Sequence, residues 1–192
     1  MIIAIISEPR SGSNNLHRWF RLVLPEYEQV WELVGHTGAG PKRVYYDKEW
    51  FDSTKDYVVH EKGFSLNLNN MTRLIESADI TVALHREDAK AQIESFVTAK
   101  LQEQWGDEYT APKHIIDNID TKYIHIKQYF ENEKEVFKKF REEHNLKTFT
   151  YEDLYYGNKI GELKEYIGVE TDTPFPFGNK YRIEPKPVDK LI

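Results

Sequence analysis

The sequence predicts an α/β fold, with a mostly parallel central sheet held between helices on both of its faces. Three observations carry that expectation. Residues Ile2 to Ile6 form an unbroken apolar run of strand length, the pattern of a strand buried on both sides. From Leu16 the spacing changes, and Leu16, Trp19, Phe20 and Val23 follow the i, i+3, i+4, i+7 order of one helix face. Strand-like and helix-like stretches then alternate along the chain, as crossover helices between parallel strands require.

The elements follow in order. Glu28 to Val34 reads as a second strand, and His36 to Pro41 as a loop. Arg43 to Lys55 is polar and aromatic with no clean period, which suits short helix or loop near a ligand. Asp56 to Gly63 reads as a strand with a polar C-terminal end. Leu68, Met71, Leu74 and Ile75 mark a helix, and Ile80 to Leu84 is another continuous apolar strand. Glu87 and Asp88 open the next helix, placing acids where the helix dipole favours them, with Ile93, Phe96, Val97 and Leu101 as its buried stripe. After a loop around Gly106 to Pro112, a long charged helix spans about Thr121 to His144, with Ile126, Phe130, Phe137 and Phe140 inward. Lys147 to Tyr151 is a last short strand. Ile160, Leu163, Ile167 and the stop at Gly168 define a final helix.

Composition narrows the class. The 192 residues suit a single domain, 1–192, with a sizeable core and an irregular, proline-containing tail from about Thr171. A formal charge of −6 argues against general nucleic-acid binding, though not against a local basic pocket. With no cysteine there are neither disulfides nor thiolate metal sites. No apolar run approaches the ~20 residues of a membrane-spanning helix. The apolar start is too short for a signal-peptide core and lacks a basic flank. The expectation is a soluble, cytoplasmic protein with no membrane or nucleic-acid partner and no metal; the oligomeric state is not encoded in any visible pattern.

In parallel sheets ligands sit beyond the C-terminal strand ends. Arg10, His36, His60 to Lys62 and Arg86 all follow or close a predicted strand, so the fold expects them on one rim. The loop Glu8-Pro9-Arg10-Ser11-Gly12-Ser13-Asn14-Asn15 joins the first strand to the first helix. Strand, small-residue loop and helix together aim backbone N–H groups at a phosphate. A Walker A loop is absent, because no Lys-Ser/Thr pair follows Gly12. The cation here precedes the glycine, as Arg10. Read by itself, the stretch is either a phosphate loop or an ordinary βα turn.

Pro9-Arg10-Ser11-Gly12-Ser13, with Leu16 beyond, resembles the 5′-phosphosulfate loop of sulfotransferases that use 3′-phosphoadenosine 5′-phosphosulfate (PAPS). Arg86 at a strand end and Ser95 in the following helix resemble that family's grip on the 3′-phosphate. Tyr151-Glu152-Asp153-Leu154, with Leu163 and Gly168 beyond, resembles the stretch that closes its last strand. The resemblance covers roughly Ile2 to Val169. It implies a three-layer fold like that of P-loop NTPases and sulfuryl transfer from PAPS to a hydroxyl or amine of an acceptor. Ala91-Gln92 and Gln104-Trp105 resemble the bacterial group that sulfates carbohydrates such as trehalose, which implies a small-molecule or carbohydrate acceptor.

On that resemblance Arg10, Ser11, Gly12, Ser13, Asn14 and Asn15 would hold the 5′-phosphosulfate, and Arg86, Ser95 and Tyr151 the remainder of the nucleotide. Arg10 and the loop N–H groups would also stabilise charge on the leaving group. His60 or Glu61 is a candidate base, Lys62 a candidate partner of the sulfuryl group or bridging oxygen, and Glu32 and His36 are the alternative bases. Asn14 stands where many members carry Thr. The glycine-rich basic C-terminal motif of many members is absent, and Lys180 and Arg182 are its possible replacements. Two rivals stay open: a nucleotide or small-molecule kinase on a related fold, and a nucleotide-binding protein without transfer.

Overall fold

The computed structural model describes residues 1–31, 48–62, 68–93, 119–157 and 159–175. Five strands make one all-parallel sheet in the order β2-β3-β1-β4-β5. They are β1 (Ile2–Ser7), β2 (Glu28–Trp31), β3 (Tyr57–Lys62), β4 (Ile80–His85) and β5 (Lys147–Thr150). The helices are α1 (Ser13–Val23), α2 (Leu68–Ser77), α3 (Ile119–Glu143), α4 (Tyr151–Tyr155) and α5 (Ile160–Ile167). A further helical turn covers 89–93. Among the described residues no helix is long and apolar enough to cross a membrane.

Alternation along the strands separates two cores. Ile3 and Ile5 of β1, with Val58, Val82, Leu84 and Phe149, face α1, α4 and α5, where Leu16, Trp19, Phe20, Leu154, Leu163 and Ile167 meet them. On the other side Ala4 packs with Leu74 of α2, and Ile6 with Met71 of α2 and with Phe137 and Phe140 of α3. β1 is buried along its whole length because it lies between β3 and β4 and has helices above and below. The chain leaves β1 towards β2 and leaves β4 towards β5. These opposite departures open a crevice beyond the C-terminal ends of β1 and β4.

Several boundaries differ from the sequence expectation for local reasons. β5 ends at Thr150, because Thr150 caps a helix that begins at Tyr151. The Thr150 hydroxyl accepts from the Asp153 N–H at 2.8 Å, and the Asp153 carboxylate accepts from the Thr150 N–H at 3.2 Å, a reciprocal capping box. Glu87 and Asp88 precede their helical turn rather than lying inside it, and Asp88 Oδ1 accepts from the Ala91 N–H at 2.9 Å. The chain from Thr171 has no regular structure as far as Phe175, yet it does not merely cross the surface. Phe175 is buried against Trp19 and Tyr155, and Trp19 Nε1 donates to the Thr173 carbonyl at 3.3 Å. The second strand is described to Trp31. The expected loop at His36 to Pro41 and the segments 94–118 and 176–192 lie outside the described residues.

Candidate functional site

Alternation at the strand ends distributes the polar residues to opposite sides of the sheet. Ser7, His60 and Lys62 follow the α1 side; Ser7 pairs with Lys62 across β1 and β3, and His60 lies two pairs back, opposite Ile5. Glu8, Glu61 and His85 follow the α3 side. Arg86, one residue past β4, returns to the α4 side and meets Tyr151 there.

The loop from Glu8 to Gly12 turns tightly. Ser11 is buried, and its hydroxyl donates to the Glu8 carbonyl at 2.7 Å. Arg10 adopts φ 60° and Gly12 φ 82°, both left-handed. Gly12 is the N-cap of α1, where no side-chain oxygen caps the helix and no acid occupies the first turn. Its carbonyl accepts from the Asn15 and Leu16 N–H groups at 3.0 and 3.2 Å and from the Tyr155 hydroxyl at 2.8 Å. Ser13 is buried, Asn15 is half-buried and Asn14 is exposed. Among the described residues, the start of α1 thus has neither a side-chain cap nor an acid in its first turn to offset its positive end.

Arg86 is the second cation of the site. Its Cζ lies 4.6 Å from the centroid of Tyr151, a cation–π contact. The side chain is 16% exposed, and Glu152 Oε1 stands 3.8 Å from Nε, beyond hydrogen-bond range. Nε is buried and makes no hydrogen bond among the described residues. The Glu152 carboxylate accepts instead from the N–H groups of Glu87 and Asp88, at 3.0 and 3.2 Å. Tyr151 stacks on Tyr155 with centroids 4.1 Å apart, and both rings border Gly12. One aromatic pair therefore joins the loop to Arg86. Arg10 is exposed, yet the protein around its guanidinium, and then the charge of Arg86, lower its pKa. Two like charges that repel one another favour an anion between them.

Beneath the loop, on the α3 side, lies a polar cluster that sequence reasoning missed: buried Glu8 and Gln92 with half-buried Lys134. Glu8 Oε2 accepts from Gln92 Nε2 at 3.0 Å and from Lys134 Nζ at 3.2 Å. Two signals were available. Glu8 continues the Ile2, Ala4, Ile6 alternation, and Lys134 falls between Phe130 and Phe137 at i+4 and i−3, on the inward stripe of α3.

The expected rim needs correction at two of its members. His60 and Glu61 lie within β3, opposite Ile5 and Ile6, and are 0% and 2% exposed. His60 Nε2 is 3.0 Å from Ser7 Oγ, and its ring stacks with His17 at 5.8 Å. Burial first, then His17 and Lys62, hold the His60 pKa well below the ordinary histidine value. Burial likewise pulls His17 down to about 4. Lys62, the last residue of β3, is half-buried beside Ser7. The structure thus brings Arg10, Ser11, Gly12, Tyr151 and Arg86 together at the ends of β1 and β4. Glu32, His36, Ser95, Lys180 and Arg182 lie outside the described residues. Compared with models of known families and with curated proteins, the chain matches none.

Proposed function

We propose that the chain binds a 3′-phosphoadenosine nucleotide at the ends of β1 and β4 and uses PAPS as the donor in sulfuryl transfer to a hydroxyl or amine. One observation supports this most. The Arg10 loop and Arg86, 76 residues apart in sequence, meet through a single aromatic pair, with Tyr151 under the Arg86 guanidinium and against Gly12. The residues present fit a nucleotide carrying two separated phosphate groups. The uncapped start of α1 suits one group, and the buried, under-bonded Nε of Arg86 suits the other. The resemblance of the Arg10 loop and of Arg86 to the sulfotransferase grips points the same way.

In this reading the donor supplies an activated sulfuryl group. The chain's own part is electrostatic. Arg10 and the N–H groups at the start of α1 are fixed donors beside the leaving phosphate, placed before charge develops there. Arg86, held over the Tyr151 ring, selects the 3′-phosphate. Lys62 is the member of the β3 trio positioned nearest solvent, where it would touch the sulfuryl oxygens. The acceptor is a small molecule or a carbohydrate, as the resemblance implies.

The burial of His60 and Glu61 favours one second reading, nucleotide binding without transfer, because neither side chain reaches solvent to take an acceptor proton. Transfer of label from ³⁵S-PAPS to a panel of sugars, phenols and amines separates the two. Labelled product supports transfer. Tight binding of 3′-phosphoadenosine 5′-phosphate (PAP) with no product on any acceptor supports the binding protein. Binding of ATP that appears only with magnesium would overturn both in favour of a kinase.

A further inference from the structure

We propose that Glu8 and Lys134 are positioning residues that fix how far apart the Arg10 loop and Arg86 stand. The proposal rests on the nucleotide reading above and adds to it a buried device on the opposite side of the sheet.

Strand alternation carries the Glu8 carboxylate away from the crevice and into the layer beneath α3. A carboxylate buried there is costly unless it is fully partnered. Its partners are specific. Glu8 Oε2 accepts from Lys134 Nζ at 3.2 Å, from Gln92 Nε2 at 3.0 Å and, at the limit of range, from the Arg86 N–H at 3.5 Å. Lys134 has two further acceptors, the Arg86 carbonyl at 2.8 Å and Gln92 Oε1 at 2.5 Å. The three ammonium protons are therefore matched by three acceptors. Gln92 Nε2 also donates to the Pro9 carbonyl at 2.8 Å, and the Glu8 N–H donates to the Leu84 carbonyl at 3.1 Å.

These bonds converge on two peptide segments. Arg86 is held by both of its backbone groups, N–H to Glu8 and C=O to Lys134. Residues 8 and 9, just ahead of Arg10, are held by the same ammonium and amide. The Arg86 side chain leaves on the other side of the sheet, over Tyr151. Neither Glu8 nor Lys134 faces Tyr151, so neither is placed to touch the nucleotide. A buried ion pair adds little net stability relative to apolar packing. Phe130 and Phe137 flank Lys134 on the same helix stripe, a setting in which an apolar residue would pack. A charge at position 134 makes sense as a spacer whose geometry is dictated by directed bonds.

The test uses Lys134→Met, which keeps length and removes the charge, and the double variant Glu8→Gln/Lys134→Met, which leaves no lone buried charge. Two readouts are taken: PAP and AMP affinity by calorimetry, and the ¹⁵N Nε–Hε resonance of Arg86 in ligand-free protein. Loss of one hydrogen bond to a charged group is worth about tenfold. PAP affinity should fall by about that factor, AMP affinity should stay within about twofold, and the Arg86 resonance should shift and exchange faster. An unmoved Arg86 resonance in both variants, or equal losses for PAP and AMP, overturns the proposal. Failure of both variants to fold also overturns it, since the pair would then serve stability. If the wild-type protein shows no preference for PAP over AMP, the nucleotide reading fails on its own. The Arg86 resonance still decides the clamp in that case.

Discussion

Tyr151 stands where a side chain on Gly12 would have to go. A Cβ built on Gly12 would lie 2.7 Å from Cδ2 of Tyr151 and 2.9 Å from Cε2 of Tyr155. Gly12 also holds φ 82°, where a side chain strains the backbone. The glycine thus lets two elements that are far apart in sequence close on each other: the loop that starts α1 and the helix that follows β5.

Gly12→Ala should therefore destabilise the protein. Left-handed backbone at a non-glycine residue costs about 1–3 kcal/mol, and displacement of Tyr151 adds to it. Chemical denaturation measures the loss. Adding Tyr151→Ala should recover the part of the clash made by Tyr151 and leave the Tyr155 contact and the backbone component. A fully neutral Gly12→Ala would mean that the loop does not hold this conformation in solution.

Acid should weaken the fold in a defined window. His17 is buried between Arg21, Gln29 and His60, and burial, more than the Arg21 charge, holds its pKa near 4 against an ordinary 6.5. His60, facing His17, Ser7 and Lys62, is lowered in the same sense. The unfolded chain then binds more protons than the native one between these values. The stability contributed by neutral histidine is full above pH 6.5 and is lost as pH falls towards about 4. For His17 alone the loss is on the order of 3 kcal/mol. Urea midpoints measured from pH 7 to 4.5 should decline, and more gently in His17→Gln. An identical slope in that variant would remove His17 from the account.

The fold was legible where burial dominates. Ile2 to Ile6 is apolar throughout because helices cover both sides, Ile80 to Leu84 is apolar but for Thr81, and both runs are strands. The α1 stripe was readable because Leu16, Trp19 and Phe20 enter one core. Elements decided by short polar contacts were harder. The start of α4 depends on the reciprocal Thr150–Asp153 bonds, which override the strand pattern one residue earlier than periodicity suggests. At the site, Arg10 and Arg86 could be picked out because each is a cation just past an apolar strand. Glu8 and Lys134 could not be paired from sequence, since 126 residues separate them and their meeting depends on which side of the sheet α3 covers. His60 and Glu61 read as rim residues because a polar strand end normally marks solvent. Here the end of β3 continues under cover.

Arg10 carries backbone strain as well as charge. At φ 60° it occupies a conformation that glycine adopts without penalty. Arg10→Gly should leave stability unchanged or higher, while turnover with PAPS falls. Loss of one preorganised donor in a comparable oxyanion site is worth roughly 2.7–4 kcal/mol, or about 10²–10³ in rate. PAP affinity should fall by less, because the interaction strengthens as charge develops on the leaving phosphate. Turnover equal to wild type in a folded Arg10→Gly protein would exclude Arg10 from the transfer step.

The assignment of Arg86 to the 3′-phosphate is open to the sharpest test. PAP and AMP differ only at that phosphate, so AMP has nothing for Arg86 to hold. A hydrogen bond to a charged group is worth about 1.5–3 kcal/mol, and each 1.4 kcal/mol is about tenfold in affinity. Arg86→Ala should weaken PAP roughly ten- to a hundredfold by that arithmetic and leave AMP nearly unchanged. Ser95→Ala, removing a neutral hydroxyl, should act in the same direction by less. Because Arg86 also lies over Tyr151 and beside Glu152, truncation has a structural consequence that must be read separately. Arg86→Lys keeps a charge but loses the guanidinium's two-pronged grip, so it should restore melting temperature more than PAP affinity. A purely structural Arg86 would instead weaken PAP and AMP together, with the melting temperature falling in step. Equal losses for both nucleotides in a stably folded Arg86→Ala protein would falsify the 3′-phosphate assignment.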